Sequence, residues 1–123
     1  MHVTFDTGAL IGLERRHLRV ARIYSDLRQR RMIVTVPAAV VAEWWRGRTD
    51  ARARILGGIY VEPLDDVIAR LAGEALADVE AATTVDAIVM ASAARRGGIV
   101  YTSDVEDLER LRRFFPSVRV LQA

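Results

Sequence analysis

Four acidic residues stand out by position. Asp6 directly follows the apolar run Val3-Thr4-Phe5, and Asp104 follows Ile99-Val100-Tyr101 after Thr102 and Ser103. Asp86 comes two residues after Thr84, and Glu43 lies about two turns into the apolar stretch from Ala38 to Trp45. Taken singly, Asp6, Asp86 and Asp104 are acids near helix starts, where the helix dipole favours them. Glu43 has no such support, and a solvated outer face is its simplest reading. Brought to one cleft, the four carboxylates would repel by about 1 to 4 kcal/mol per pair at 4 Å unless cations sat between them. Oxygen-only ligands suit Mg²⁺ or Mn²⁺. One such ion generates hydroxide from water, and two, roughly 3.5 to 4 Å apart, stabilise both the attacking and the leaving oxygen of an in-line displacement at phosphorus. The chemistry this points to is hydrolysis of a phosphodiester, with arginines holding the nucleic-acid backbone.

Elements that could position these acids alternate along the chain. Val3–Phe5 is a short strand ending at Asp6-Thr7-Gly8. Leu10, Leu13, Val20, Tyr24 and Leu27 then recur at helical spacing, with a break near residues 14–17. Ile33–Val36 is a β-branched strand bounded by Pro37, which suits the first position of a helix over Ala38–Trp45 closed by Gly47. A short helix over residues 51–56 ends at Gly57-Gly58, and Ile59–Val61 is a third strand before Pro63. Residues 65–81 predict a longer helix with Val67, Leu71, Ala75, Leu76 and Val79 on its apolar side. Thr84 is the expected cap of a helix over 85–96 that Gly97-Gly98 stops. A fourth strand covers 99–101. Ser103-Asp104-Val105-Glu106 has capping-box spacing for a helix reaching Phe115, and 118–121 makes the last strand. Such alternation predicts one α/β domain over residues 1–123, a parallel sheet covered by helices on both faces. Ligands of such sheets bind beyond the carboxyl ends of the strands, where strand order reverses.

Composition narrows the classes. The chain has 123 residues, 51% of them hydrophobic and 28% charged, enough for one core. It holds no cysteine, which excludes disulfides, a cysteine nucleophile and thiolate zinc, and fits a reducing cytoplasm. No apolar stretch approaches membrane-span length and no secretory leader is recognisable. All 18 basic residues are arginine. Residues 1–60 hold 11 arginines against 5 acids, and residues 61–123 hold 7 against 11, so a polyanion-binding surface is expected in the first half. His2 and His17 have no paired spacing for a metal.

Four blocks, Val3-Thr4-Phe5-Asp6-Thr7-Gly8-Ala9-Leu10, Pro37-Ala38-Ala39-Val40-Val41-Ala42-Glu43, Asp86-Ala87-Ile88-Val89-Met90-Ala91 and Tyr101-Thr102-Ser103-Asp104-Val105-Glu106-Asp107-Leu108, together resemble the PIN-domain family. More narrowly, the short chain is similar to VapC-type toxins of bacterial toxin-antitoxin pairs. The resemblance runs through the whole chain in order. It implies a five-stranded parallel sheet of order 3-2-1-4-5 and a catalytic site of Asp6, Glu43, Asp86 and Asp104. Asp6, Asp86 and Asp104 would be the metal ligands, and Glu43 would act through water. Asp107, Thr7, Thr102 and Ser103 are expected as supporting residues. One departure is the segment Thr83-Thr84-Val85, where many relatives carry a further acid shortly before the aspartate.

The resemblance also implies a Mg²⁺-dependent endoribonuclease, with Mn²⁺ able to substitute, that cuts structured RNA such as tRNA or rRNA and inhibits translation. A cognate antitoxin would neutralise it, in many relatives by placing an arginine among the acids, which bind guanidinium bidentately. A homodimer assembling into a larger toxin-antitoxin complex is expected, with DNA bound only through the antitoxin. Arg15, Arg16, Arg19 and Arg22 are the expected RNA contacts, followed by Arg28, Arg30 and Arg31. Of the adjacent Trp44 and Trp45, one is expected in the core and the other at an interface. Receiver domains and haloacid-dehalogenase-type phosphatases place a lysine against the phosphoryl group, and this chain has none. The alternative kept beside the nuclease is a catalytically silent PIN-like module that binds RNA or protein.

Overall fold

The computed structural model describes residues 1–123. Five short strands, β1 (His2–Phe5), β2 (Ile33–Pro37), β3 (Tyr60–Glu62), β4 (Ile99–Thr102) and β5 (Arg119–Gln122), form one sheet of order β3-β2-β1-β4-β5. Every pairing is parallel: Val3 lies opposite Val34, Phe5 opposite Tyr101, Pro37 opposite Glu62, and Thr102 opposite Gln122. Seven helices connect them: α1 (Thr7–Glu14), α2 (Leu18–Gln29), α3 (Ala38–Trp44), α4 (Asp50–Gly57), α5 (Asp66–Asp78), α6 (Thr84–Arg96) and α7 (Val105–Leu111). Successive residues of a strand face opposite sides, yet Val3, Thr4 and Phe5 are all at most 1% exposed. Both faces of the sheet are therefore covered, which explains why the strands read as apolar runs without alternation.

The core is one cluster of 25 buried hydrophobic residues. α6 runs through it, and all seven residues from Ala87 to Ala93 are buried. A helix enclosed on several sides has no polar stripe, and its alanines let neighbours approach closely. Chain order reverses between β1 and β4, so the crevice of this doubly wound sheet lies beyond their carboxyl ends. Phe5 leads into it on one side and Thr102 on the other.

Several boundaries differ from the sequence expectation, each for a local reason. α1 begins at Thr7, because Asp6 itself supplies the cap, so Thr7 and Gly8 are helical. The break after α1 falls where expected, with Arg16 at φ 58 turning the chain. Pro37 is the last residue of β2 and the N-cap of α3, not its first helical residue. β3 and β5 each lie one residue later than expected. α5 stops at Asp78, and it buries Ile68, Ala72 and Ala75, whereas Val67 is 57% exposed. Thr83, not Thr84, caps α6. The Ser103 capping box does not form: α7 has Asp104 at its N-cap without a side-chain cap bond and ends at Leu111. Gly98, at φ 79, then takes the left-handed conformation that returns the chain into β4.

Candidate metal centre

The crevice is built around one carboxylate. Asp6 ends β1 and caps α1: Ala9 N–H donates to its Oδ1 at 2.9 Å, and the Thr102 hydroxyl donates to its Oδ2 at 2.5 Å. Thr102 Oγ1 also accepts from the Asp104 N–H at 2.9 Å, so a single fully buried hydroxyl joins the ends of β1 and β4. Asp6 is only 7% exposed. Burial pushes its carboxyl up from 3.8 to about 6 against the lowering effect of Thr102 and Ala9, and the charges of Asp86 and Asp104 push the same way.

Asp86 enters from the first turn of α6. Its N–H donates to Thr83 Oγ1 at 3.2 Å, which ties the helix start to the residue that points an acid at the crevice. Burial raises the Asp86 carboxyl, Thr83 opposes this, and Asp107, Glu43 and Asp104 add to it. Asp104 is also raised, first by its hydrogen bond with Asp107, then by desolvation and by the Asp107 charge. Asp107 in turn accepts from Arg110 Nη1 at 2.9 Å. Glu43 is exposed on α3, and the Thr7 hydroxyl donates to its Oε1 at 2.5 Å.

The structure thus gathers Asp6, Glu43, Asp86 and Asp104 into one electrostatic neighbourhood, with Asp107 beside them. Thr7 and Thr102 hydrogen-bond the acids. Ser103 does not; its side chain packs against Gly8, where a Cβ would lie 2.0 Å from Ser103 Oγ. None of Asp6, Glu43, Asp86 and Asp104 forms an ion pair, although nine other acids do. The donor set, hard oxygens with displaced protonation, suits a hard divalent cation. No three acidic or histidine side chains stand close enough together to hold an ion as they are, so binding would have to draw them inward.

The arginines divide. Arg15, Arg16, Arg19 and Arg22 are exposed and unpaired. Arg15 lines a cleft of about 250 Å³ that includes Glu43, whereas Arg19 and Arg22 line a separate depression with Leu18 and Ile23. Trp44 is the core tryptophan, 3% exposed, with its Nε1 donating to Glu14 at 3.0 Å; Trp45 is half-buried. His2 pairs with Thr35 across 2.9 Å and His17 stands at the N-cap of α2 without a side-chain cap bond, both outside the acid cluster. The sequence assigns the capping role of Thr83 to Thr84, although the three-residue spacing from Thr83 to Asp86 is the signal of a cap facing an acid.

Fold and crevice define a doubly wound parallel α/β domain with a cluster of acids at the switch point of its sheet. The chain is similar over its full length to a chain in the crystal structure of VapBC2 from Rickettsia felis bound to a DNA fragment from their promoter: TM-score 0.80 at 13% identity, covering 100% of this chain and 99% of that one. At that identity the likeness is one of fold. No family model and no curated protein matches the sequence.

Proposed function

We propose that this chain is a metal-dependent endoribonuclease acting as the toxin of a toxin-antitoxin pair in the cytoplasm. The observation that carries the reading is the gathering of four arginine-free acids around buried Asp6. The motif resemblance and the shared fold with a chain of a VapBC complex support the toxin context. Asp6, Asp86 and Asp104 are the residues that would hold Mg²⁺ or Mn²⁺, and the chemistry such an ion supplies is neutralisation of phosphate charge and activation of water. Thr102 fixes the Asp6 carboxylate, and Thr83 fixes the start of α6 beneath Asp86. Glu43, held by Thr7, accepts a proton from water or orients it. Exposed arginines of the first half bind the RNA backbone, so that cleavage of tRNA or rRNA halts translation. A cognate antitoxin seats a guanidinium among the same oxygens, and the toxin dimer reaches DNA only through it.

The test is purified chain, freed of antitoxin, incubated with total bacterial RNA and Mg²⁺ or Mn²⁺, with mapping of the new 5′ ends. Discrete cuts are expected, absent in EDTA and in Asp6→Asn and Asp104→Asn proteins. Cuts that survive in both folded variants would refute the site, and no cuts with metal binding confirmed would leave a silent binding module.

A further inference from the structure

The arginines of the two halves are used differently. Of the seven in residues 61–123, six pair with a carboxylate and only Arg119 does not. Of the 11 in residues 1–60, only Arg30, Arg48 and Arg52 do. Arg52 explains how free cations come to stand beside the acid site. Its Nε donates to Glu14 Oε2 at 2.9 Å, and its Nη1 donates to the carbonyls of Gly47 at 2.9 Å and Arg46 at 3.3 Å. Glu14, which also accepts from Trp44, is thereby neutralised, and the turn after α3 is pinned to α4 and α1. In that turn Arg46 adopts φ 44 and donates its Nε to the Glu43 carbonyl at 3.0 Å, leaving its terminal nitrogens without a carboxylate. Arg15, at the C-cap of α1, has no carboxylate either.

Arg15, Arg46, Arg52, Glu14 and Glu43 line one cleft of about 250 Å³. Glu43, whose charge also acts on Asp86, is shared by the cleft and the acid cluster, so the cleft lies beside the candidate centre. We infer that this cleft is a phosphate subsite of a single-stranded RNA segment: Arg15 and Arg46 grip the phosphodiester next to the one cut, on a floor that Arg52 and Glu14 hold rigid. Planar guanidinium heads match phosphate oxygens bidentately, and the bond from Arg46 Nε to the Glu43 carbonyl aims that head while its terminal nitrogens stay available. The inference rests on the nuclease reading and adds the direction in which the strand leaves the centre.

The test separates the two. Binding of a fluorescent single-stranded RNA is followed by anisotropy in EDTA, where nothing is cut, over a series of salt concentrations, for wild type, Arg15→Gln/Arg46→Gln and Arg119→Gln. Each lost phosphate contact lowers the slope of log K against log salt by about 0.7 for a single strand, so the double variant should lose about 1.4 and bind about tenfold or more weakly. Arg119→Gln, on the edge strand β5, should match wild type. With metal, the double variant should raise KM with little change in kcat. A double variant that binds with the wild-type slope while wild type still cuts RNA overturns the subsite and leaves the nuclease standing. A wild type that neither binds nor cuts overturns both.

Discussion

Replacing Asp6 with asparagine should stabilise the metal-free protein at neutral pH and destabilise it in acid. Below pH 3.8 the aspartate is protonated in the native and unfolded chain alike, and its burial carries no electrostatic penalty. Between 3.8 and about 6 the unfolded chain releases the proton while the native one retains it, so stability falls as pH rises and then levels off. The full difference amounts to about 3 kcal/mol. Asparagine is neutral throughout. Its oxygen can still accept from Ala9, but its amide nitrogen faces the Thr102 hydroxyl that donated to Asp6, a loss of about 1 kcal/mol. At pH 7.5 in EDTA the variant should gain about 1 to 2 kcal/mol, a rise in melting temperature of about 4 to 8 °C. At pH 3.5 it should melt below wild type. Mg²⁺ at about 100 times its Kd should add about 2.7 kcal/mol to wild type and little to the variant. Differential scanning fluorimetry at the two pH values, with and without Mg²⁺, reads all of this. A variant equally destabilised at both, or a Mg²⁺ shift equal in both proteins, would refute the reasoning about the site.

Two further substitutions probe the hydroxyls that aim the acids. Thr102→Val keeps the shape but leaves a buried carboxylate oxygen and the Asp104 N–H without their partner, which should cost about 1 to 3 kcal/mol in urea melts. Because Thr102 is one of the groups holding the Asp6 carboxyl down, the acid-side rise in stability should also move to higher pH; an unmoved profile would count against the linkage. Thr83→Ala removes the cap of α6 and should cost about 1 kcal/mol of stability. It should slow RNA cleavage while leaving RNA affinity in EDTA unchanged, and a loss of affinity instead would show that Thr83 touches substrate.

The acids could be found in the sequence because each is local to an element end: Asp6 and Asp104 follow strands, and Asp86 opens a helix. The alternation of strands and helices follows from the same punctuation, whereas the strand order 3-2-1-4-5 is implied by the family resemblance alone. What sequence could not supply was phase. Val67-Ile68, Leu71-Ala72 and Ala75-Leu76 offer two adjacent apolar stripes on α5. The most buried line is Ile68, Ala72 and Ala75, where two alanines allow close packing on the alanine-rich α6; Leu71 and Leu76 flank it half-buried, Val79 is buried, and Val67 alone of the expected apolar side faces out. Likewise Thr83 and Thr84 are equivalent as caps until the helix start is fixed. Interactions between residues 30 to 38 positions apart, such as Trp44 with Glu14 and Arg52 with Glu14, leave no local pattern at all.

The pairing of charges carries information that neither net charge nor motif does. With 18 arginines against 16 acids, a chain that merely solvated its surface would pair Asp6, Glu43, Asp86 and Asp104 about as readily as the others. Nine acids have found an arginine, among them Asp107, one helical turn from Asp104; of the seven that have not, Glu74, Glu80 and Glu106 are exposed on separate helices or turns, whereas these four share one crevice. Leaving them unpaired, half of them in low dielectric, works against folding, as the raised carboxyls of Asp6 and Asp86 register. Such a local penalty persists where function uses the field it creates. An arginine engineered within reach of the cluster would relieve that penalty and occupy the oxygens proposed to hold the cation. Placing arginine at Ser103, which abuts Gly8 and neighbours Asp104, should therefore raise the melting temperature in EDTA at pH 7.5 and abolish both the Mg²⁺ shift and cleavage. If the variant melts higher yet keeps its Mg²⁺ shift, the cation site lies elsewhere.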